Sequence, residues 1–124
     1  NVYFLYKSLD IDVMNLACKH LLGKHDFASF SKVHTQTHTN DCDLMSAHWE
    51  EENDNLVFTI KSDRFLRNMV RAIVGTLLEV GEGKITEDKV KEIIEKKDRS
   101  QAGVSVPAHA LFITKIEYPE KIIK

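Results

Sequence analysis

Residues 64–83, Arg-Phe-Leu-Arg-Asn-Met-Val-Arg-Ala-Ile-Val-Gly-Thr-Leu-Leu-Glu-Val-Gly-Glu-Gly, carry the strongest structural signal in the chain. Their apolar residues recur at helical spacing, which predicts one long helix over 64–80, capped by Asp63 and ended by Gly81 and Gly83. On a wheel turning about 100° per residue from Arg64, Arg67 falls at about 300° and Arg71 at about 340°, so three guanidinium groups share one narrow face. Gly75 continues that face one turn later without a side chain to block a partner. Phe65, Leu66, Met69, Val70, Ile73, Val74 and Leu77 fill the remaining arc and are expected in the core. Arg64 and Arg67 stand in the first turn, where the positive end of the helix dipole disfavours cations. One reading is an ordinary solvated charged face. The other is an anion site, for a phosphate or for a carboxylate held by two parallel hydrogen bonds.

Outward from this helix, the pattern changes to period two. Met45, Ala47 and Trp49 alternate, and so do Leu56, Phe58 and Ile60, predicting two strands. The acidic run Glu50-Glu51-Glu52-Asn53-Asp54 between them reads as a charged hairpin loop. Upstream, Asp10 is placed to cap a helix over 11–22 with Ile11, Met14, Ala17, Cys18, Leu21 and Leu22 on one side, and Gly23 is placed to stop it. Residues 24–42 are polar and rich in Thr and His, and read as an extended or loop segment. Downstream, Thr86 precedes a shorter helix whose Val90, Ile93 and Ile94 face inward, with acids Glu87 and Asp88 early and Lys96 and Lys97 late. A loop with Gly103 and Pro107 leads to a last strand over 111–118, closed by Pro119. The order helix, strand, strand, helix, helix, strand predicts an α+β domain, with helices packed on one face of an antiparallel sheet.

A length of 124 residues suits a single domain able to fold without disulfide or metal. The apolar fraction of 43% and charged fraction of 29% are those of a soluble globular protein, and no apolar run approaches the roughly 18 residues of a membrane span. Asn1-Val2-Tyr3-Phe4-Leu5 shows no basic leader or cleavage site, and a start at Asn suggests a fragment. Cys18 and Cys42 follow no scaffold spacing, so free thiols in a reducing cytoplasm are expected. A net charge of −2 weighs against a dedicated nucleic-acid binder. Its distribution tells more. Lys61, Arg64, Arg67 and Arg71 stand against Asp63 alone, a local positive patch able to dock a phosphate backbone.

Other chemistries find little support. His34-x3-His38-x3-Cys42 would align three ligands on a helix, but Thr35, Thr37 and Thr39 disfavour one there and no fourth ligand stands at short spacing, so no metal site is assigned. Ser29 or Ser31 with His25 or His34 lacks the strand–turn–helix frame of an activated serine. Gly81-Glu82-Gly83 follows a helix instead of opening one, so it is no phosphate loop. No carboxylate pair stands out as a general acid and base.

The segment Phe65-Leu66-Arg67-Asn68-Met69-Val70-Arg71-Ala72-Ile73-Val74-Gly75-Thr76-Leu77-Leu78 resembles the C-terminal signature of the tRNA pseudouridine synthase A family. Leu22-Gly23-Lys24-His25-Asp26-Phe27-Ala28-Ser29-Phe30 resembles another block of that family. Lys97-Asp98-Arg99, Ala102-Gly103-Val104-Ser105-Val106-Pro107-Ala108-His109 and the ending Ile116-Glu117-Tyr118-Pro119 are similar to its tail. The blocks keep the family's order across nearly the whole chain. Ala110 stands where the pattern has Gly, and Ala28 where it has Thr.

The resemblance implies an isomerase that converts uridine to pseudouridine at positions 38 to 40 of the tRNA anticodon stem-loop. It implies a cytoplasmic homodimer that works without a cofactor and away from membranes. The family's fold pairs two similar α/β halves across a cleft, and residues 1–124 would form the single C-terminal domain. The nucleophilic Asp lies in the other half, in a Gly-Arg-Thr-Asp type motif that this chain does not contain. Arg71 would pair with that Asp and orient it. Arg64, Arg67 and Asn68 would contact RNA, and Phe65 or Met69 would line the base pocket, although core packing competes for both. The alternative is a non-catalytic RNA-binding or dimerisation module.

Overall fold

The two alternating runs become the central strands of the sheet. The computed structural model describes residues 9–31, 41–52, 55–66, 68–97, 102 and 114–117. Among these the order is α1 (Ile11–Lys19), β1 (Gly23–Asp26), a 3-10 turn (Ala28–Phe30), β2 (Asp41–Glu52), β3 (Asn55–Ser62), α2 (Met69–Gly81), α3 (Glu87–Lys96) and β4 (Thr114–Glu117). The sheet order is β1-β2-β3-β4. β1, β2 and β3 pair antiparallel, and β4 lies parallel to β3. That parallel edge follows from topology, because α2 and α3 intervene between β3 and β4 and supply the crossover that parallel strands need. The α+β expectation holds. The inward residues Cys42, Leu44, Ala47, Trp49, Leu56, Phe58 and Ile60 form one core with the buried faces of all three helices. No helix among the described residues is long and apolar enough to cross a membrane.

The β2–β3 pair departs from simple alternation. Trp49 faces Phe58 and Ala47 faces Ile60, but the register shifts between Leu44 and Ser46. This bulge changes which residues point inward. Leu44 is 1% exposed while Met45, expected inside, is 40% exposed. The acidic run also behaves otherwise than expected. Glu50, Glu51 and Glu52 continue β2 opposite Val57, Leu56 and Asn55, and the Glu50 and Glu51 side chains face water. The connection at 53–54 lies outside the described residues.

At α1, Asp10 caps as expected, its carboxylate accepting from Val13 N at 3.2 Å. The helix stops at Lys19, three residues early. His20 N, Leu21 N and Leu22 N bond three residues back, to Ala17, Cys18 and Lys19, the tightened turn that ends many helices. Leu22 is thereby left exposed. Gly23, expected as the stop, opens β1 instead, at a φ of 97° that favours glycine. Because β1 pairs only with Asp41–Leu44, the rest of that side of β2 meets α1. There Asn15 Oδ1 accepts from Trp49 N at 2.7 Å and Asn15 Nδ2 donates to Trp49 O at 3.1 Å.

The long helix begins at Met69, not Arg64. Asn68 is left-handed, at φ 68°, and a left-handed residue cannot continue a right-handed helix. Asp63 caps nothing, because its carboxylate accepts from Asp43 N on β2 at 2.8 Å. α2 is buried on nearly every side, leaving only Arg71, Leu78 and Glu79 partly open, and Gly75 is buried rather than presented to a partner. At α3, Thr86 holds the N-cap position without a side-chain bond, and Val90, Ile93 and Ile94 are buried as expected. His20 Nε2 lies 2.6 Å from Glu87 Oε2, tying the end of α1 to the start of α3. The sequence-predicted last strand over 111–118 is represented by Thr114–Glu117.

The ends of α1 and α2 meet at Gly81. Asp10 N donates to Gly81 O at 2.9 Å. A Cβ on Gly81 would overlap the Met14 sulfur and its Cγ and press on Leu9. Met14 is fully buried and has little room to yield. Gly81→Ala is therefore expected to destabilise the fold by about 1–3 kcal/mol, the usual cost of overpacking. Met14→Ala in the same chain should recover part of that loss. Urea unfolding of the two single variants and the double variant measures the coupling, and additive effects would show that the overlap is relieved elsewhere.

Candidate functional site

The segment 62–72 joins β3 to α2 and holds the residues singled out as functional. Its first half is bonded to the opening of β2. Asp63 N donates to Asp43 O at 3.2 Å, and Asp63 Oδ1 accepts from Asp43 N at 2.8 Å. Ser62 is buried, with its hydroxyl 2.8 Å from Arg64 O and 3.1 Å from Asp43 O. Arg64 is half-buried, and its Nη1 donates to Asp41 O at 3.1 Å. It precedes α2, so the expected row of three arginines on one helix face does not include it. Arg67 lies outside the described residues.

The second half enters the helix. Leu66 N donates to Met69 Sδ at 3.4 Å and Met69 N to Leu66 O at 3.1 Å. Asn68 O accepts from Ala72 N at 3.0 Å, while its side chain makes no capping bond. Arg71 follows in the first turn of α2, half-buried. It is the only charged residue in the first ten of this otherwise apolar helix. Phe65 is partly buried against the core. Met69 is fully buried and also accepts a long contact from Cys42 Sγ at 3.8 Å, so in this chain it packs as core.

The remaining candidates are structural where they are described. Cys42 sits on a strand with its side chain in the core, so the helix that would align it with His34 and His38 is absent at that end. His34 and His38 themselves lie outside the described residues. Burial pushes the Cys42 thiol up to about 11, with Arg64 pulling it down and Asp63 and Asp41 pushing it further up. Burial likewise pushes Cys18 up to about 12, and the neighbouring Trp49 indole offsets this only slightly. The contact is loose, since Trp49 Nε1 has no hydrogen-bond partner of normal geometry among the described residues. Both thiols stay protonated at neutral pH, which disqualifies them as nucleophiles. Ser29 is buried and donates to Ile93 O at 2.6 Å, anchoring the 3-10 turn to α3. Ser31 donates to Ala28 O, and His25 Nε2 lies 2.7 Å from Leu22 O.

Sequence reasoning missed the bonding of 62–64 to β2. A Ser-Asp pair before an apolar run reads as a helix cap, and the same carboxylate can equally accept a main-chain N–H from a distant strand.

Comparison with known proteins gives one consistent result. A family model described as tRNA pseudouridine synthase matches residues 17–119. The chain is 57% identical over 121 residues to tRNA pseudouridine synthase A of Parabacteroides distasonis, covering 98% of this chain and 48% of that protein. It is 54% identical to the protein of the same name in Bacteroides thetaiotaomicron, covering 97% and 46%. The corresponding figures for the Clostridium acetobutylicum protein are 45%, 94% and 48%. The chain thus spans about half the length of the curated relatives it matches.

Proposed function

Because the chain belongs to the tRNA pseudouridine synthase family, we propose that it is the C-terminal half of an enzyme that isomerises uridine to pseudouridine in the tRNA anticodon stem-loop, at positions 38 to 40. The observation that carries this reading is the place of Arg71, half-buried in the first turn of α2 and the only charged residue in the first ten of that helix. A guanidinium there can hold a carboxylate through two parallel hydrogen bonds. Its role is to pair with a carboxylate from the other half. That pairing lowers the carboxylate's pKa, keeps it ionised and aims it at the sugar or base. The carboxylate attacks, the glycosidic bond to N1 breaks, the uracil turns, C5 joins the sugar in place of N1, and the bond to the carboxylate breaks again. Proton loss from C5 completes an isomerisation that needs no redox or metal cofactor.

Asp10, Asp12, Asp26, Asp41, Asp43, Asp54, Asp63, Asp88 and Asp98 all lack the Gly-Arg-Thr-Asp context of the nucleophile, which is why it is assigned to the other half. Arg67 and Asn68, beside the start of α2, are assigned to RNA phosphates. A uridine within a stem must leave its stack to react, and Phe65 is the nearer candidate to hold it, given that Met69 is enclosed. The complete enzyme works as a cytoplasmic homodimer.

The test is an assay for pseudouridine in unmodified tRNA. The complete enzyme is expected to convert uridines at 38 to 40, and the 124-residue chain alone to give no turnover. Turnover by the isolated chain at the rate of the complete enzyme would overturn the reading.

A further inference from the structure

The left-handed residue at 68 makes the start of α2 a choice of register. An α-helix turns about 100° per residue. Starting it one residue earlier or later would swing Arg71 by about that angle, from one side of the helix toward another. Gly81 pins the far end of α2 against Met14 and Asp10, whereas apolar residues occupy most positions at its head and restrain a slip there little. The start has to be fixed from outside the helix, and the segment before it is bonded to a strand at three consecutive residues.

We propose that Asp63 and Arg64 are positioning residues that lock the start of α2 to the opening of β2 and thereby aim Arg71. This rests on the reading of Arg71 given above. Asp63 makes a reciprocal pair with Asp43, N to O at 3.2 Å and Oδ1 to N at 2.8 Å, which fixes both position and direction as a ladder bridge does. Arg64 reaches one step further along β2, to Asp41 O at 3.1 Å. The buried Ser62 hydroxyl sits between the two segments. It has a single hydrogen, which Arg64 O and Asp43 O share. Beyond Arg64, the mutual bonds of Leu66 and Met69 set the turn that delivers Asn68 into its left-handed conformation. The chain therefore enters α2 from a frame anchored on the sheet.

This assigns Arg64 a task different from phosphate contact. A main-chain carbonyl holds its guanidinium by direction rather than by charge, and the adjacent Asp63 carboxylate would repel a phosphate approaching the same place.

The complete synthase tests the proposal with Asp63→Ala, Asp63→Asn, Arg64→Ala and Arg71→Ala, each alone, and with Asp63→Ala and Arg64→Ala also combined with Arg71→Ala. Asp63→Ala and Arg64→Ala are expected to lower kcat by about 10- to 100-fold, the range typical of residues that orient a functional group, with the KM for tRNA within about twofold. Asp63→Asn keeps an acceptor oxygen toward Asp43 N and should recover most of the rate, which also guards against a variant that merely misfolds. In the Arg71→Ala background neither change should lower kcat further, because both act through Arg71. The salt dependence of tRNA binding should be unchanged in Arg64→Ala. The proposal is overturned if Arg64→Ala raises KM and flattens the salt dependence at unchanged kcat, which is the signature of a phosphate contact. Wild-type kcat in Asp63→Ala and Arg64→Ala overturns it too, as does a further loss in the Arg71→Ala background. If Arg71→Ala alone retains the wild-type rate, the reading of Arg71 fails first, which is a separate result.

Discussion

Arg71→Ala in the complete synthase is expected to lower kcat by roughly a hundred- to a thousandfold while leaving the affinity for tRNA within about threefold. The magnitude follows from the pair it is proposed to form. Removing one partner of a largely desolvated ion pair costs about 3–5 kcal/mol, and about 1.4 kcal/mol is a factor of ten in rate. The loss falls on kcat because the guanidinium acts on the nucleophile, not on the nucleic acid. Arg71→Lys should recover little, since an ammonium cannot make the two-pronged contact that fixes a carboxylate's orientation. Arg67→Ala should behave in the opposite way, weakening binding and reducing the salt slope by about one phosphate contact at near-normal kcat. Single-turnover rates at saturating tRNA, with dissociation constants across a salt series, separate the two. A wild-type single-turnover rate in Arg71→Ala would remove the central element of the proposed mechanism.

Phe58→Ala is expected to destabilise the chain by about 3–5 kcal/mol. Phe58 is fully buried at the middle of β3 and lies against Trp49 of the neighbouring strand, with ring centroids 4.7 Å apart. The pair belongs to the single core that the sheet forms with the helices. Total stabilities of domains run to about 5–15 kcal/mol, so the variant should unfold at far lower urea. Met45→Ala supplies the contrast. The bulge turns Met45 outward, and its loss should change stability by no more than about 0.5 kcal/mol. Leu44→Ala, one residue away, should cost about 2–5 kcal/mol. Equal costs at 44 and 45 would contradict the bulge.

These contrasts mark where the sequence could and could not be read. The inward residues of α3 were legible because they lie on a helical period among charged neighbours, and those of β3 because Leu56, Phe58 and Ile60 keep period two, although Val57 and Thr59 between them are buried as well. Asp10 was legible because its helix cap is a local bond to Val13 N. The start of α2 was not legible. Phe65, Leu66, Met69 and Val70 are apolar at helical spacing whether or not the helix has begun, and the break depends on one dihedral angle at Asn68 and on bonds to a strand twenty residues away. Met45 was misplaced for a related reason, since a bulge shifts the phase of alternation without any marker in composition. β1 was hidden because Gly23–Asp26 is four polar or small residues with no alternation, made a strand only by the partner beside it. In the candidate site, Arg71 was singled out by its place in the family-like segment, and it stands in the first turn of α2. Arg64 precedes α2 and so does not share a helix face with Arg71; a helical wheel assumes the helix it is drawn on.

The grip of Asn15 on Trp49 bears on how the molecule behaves in company. An exposed strand edge is a template on which another chain can continue a sheet, and long unprotected edges are where aggregation starts. β2 has such an edge beyond Leu44, where β1 has already ended. The Asn15 amide presents one donor and one acceptor to Trp49, the same pair that a further strand would offer. A side chain thus takes the place of an incoming backbone at the middle of the open stretch. Beside it, Glu50 and Glu51 stand exposed near the end of the same strand, where like charges would meet in any stacked copy. Among the described residues, that stretch of edge is met by a single residue of a helix, which opposes its extension by a second copy of the chain.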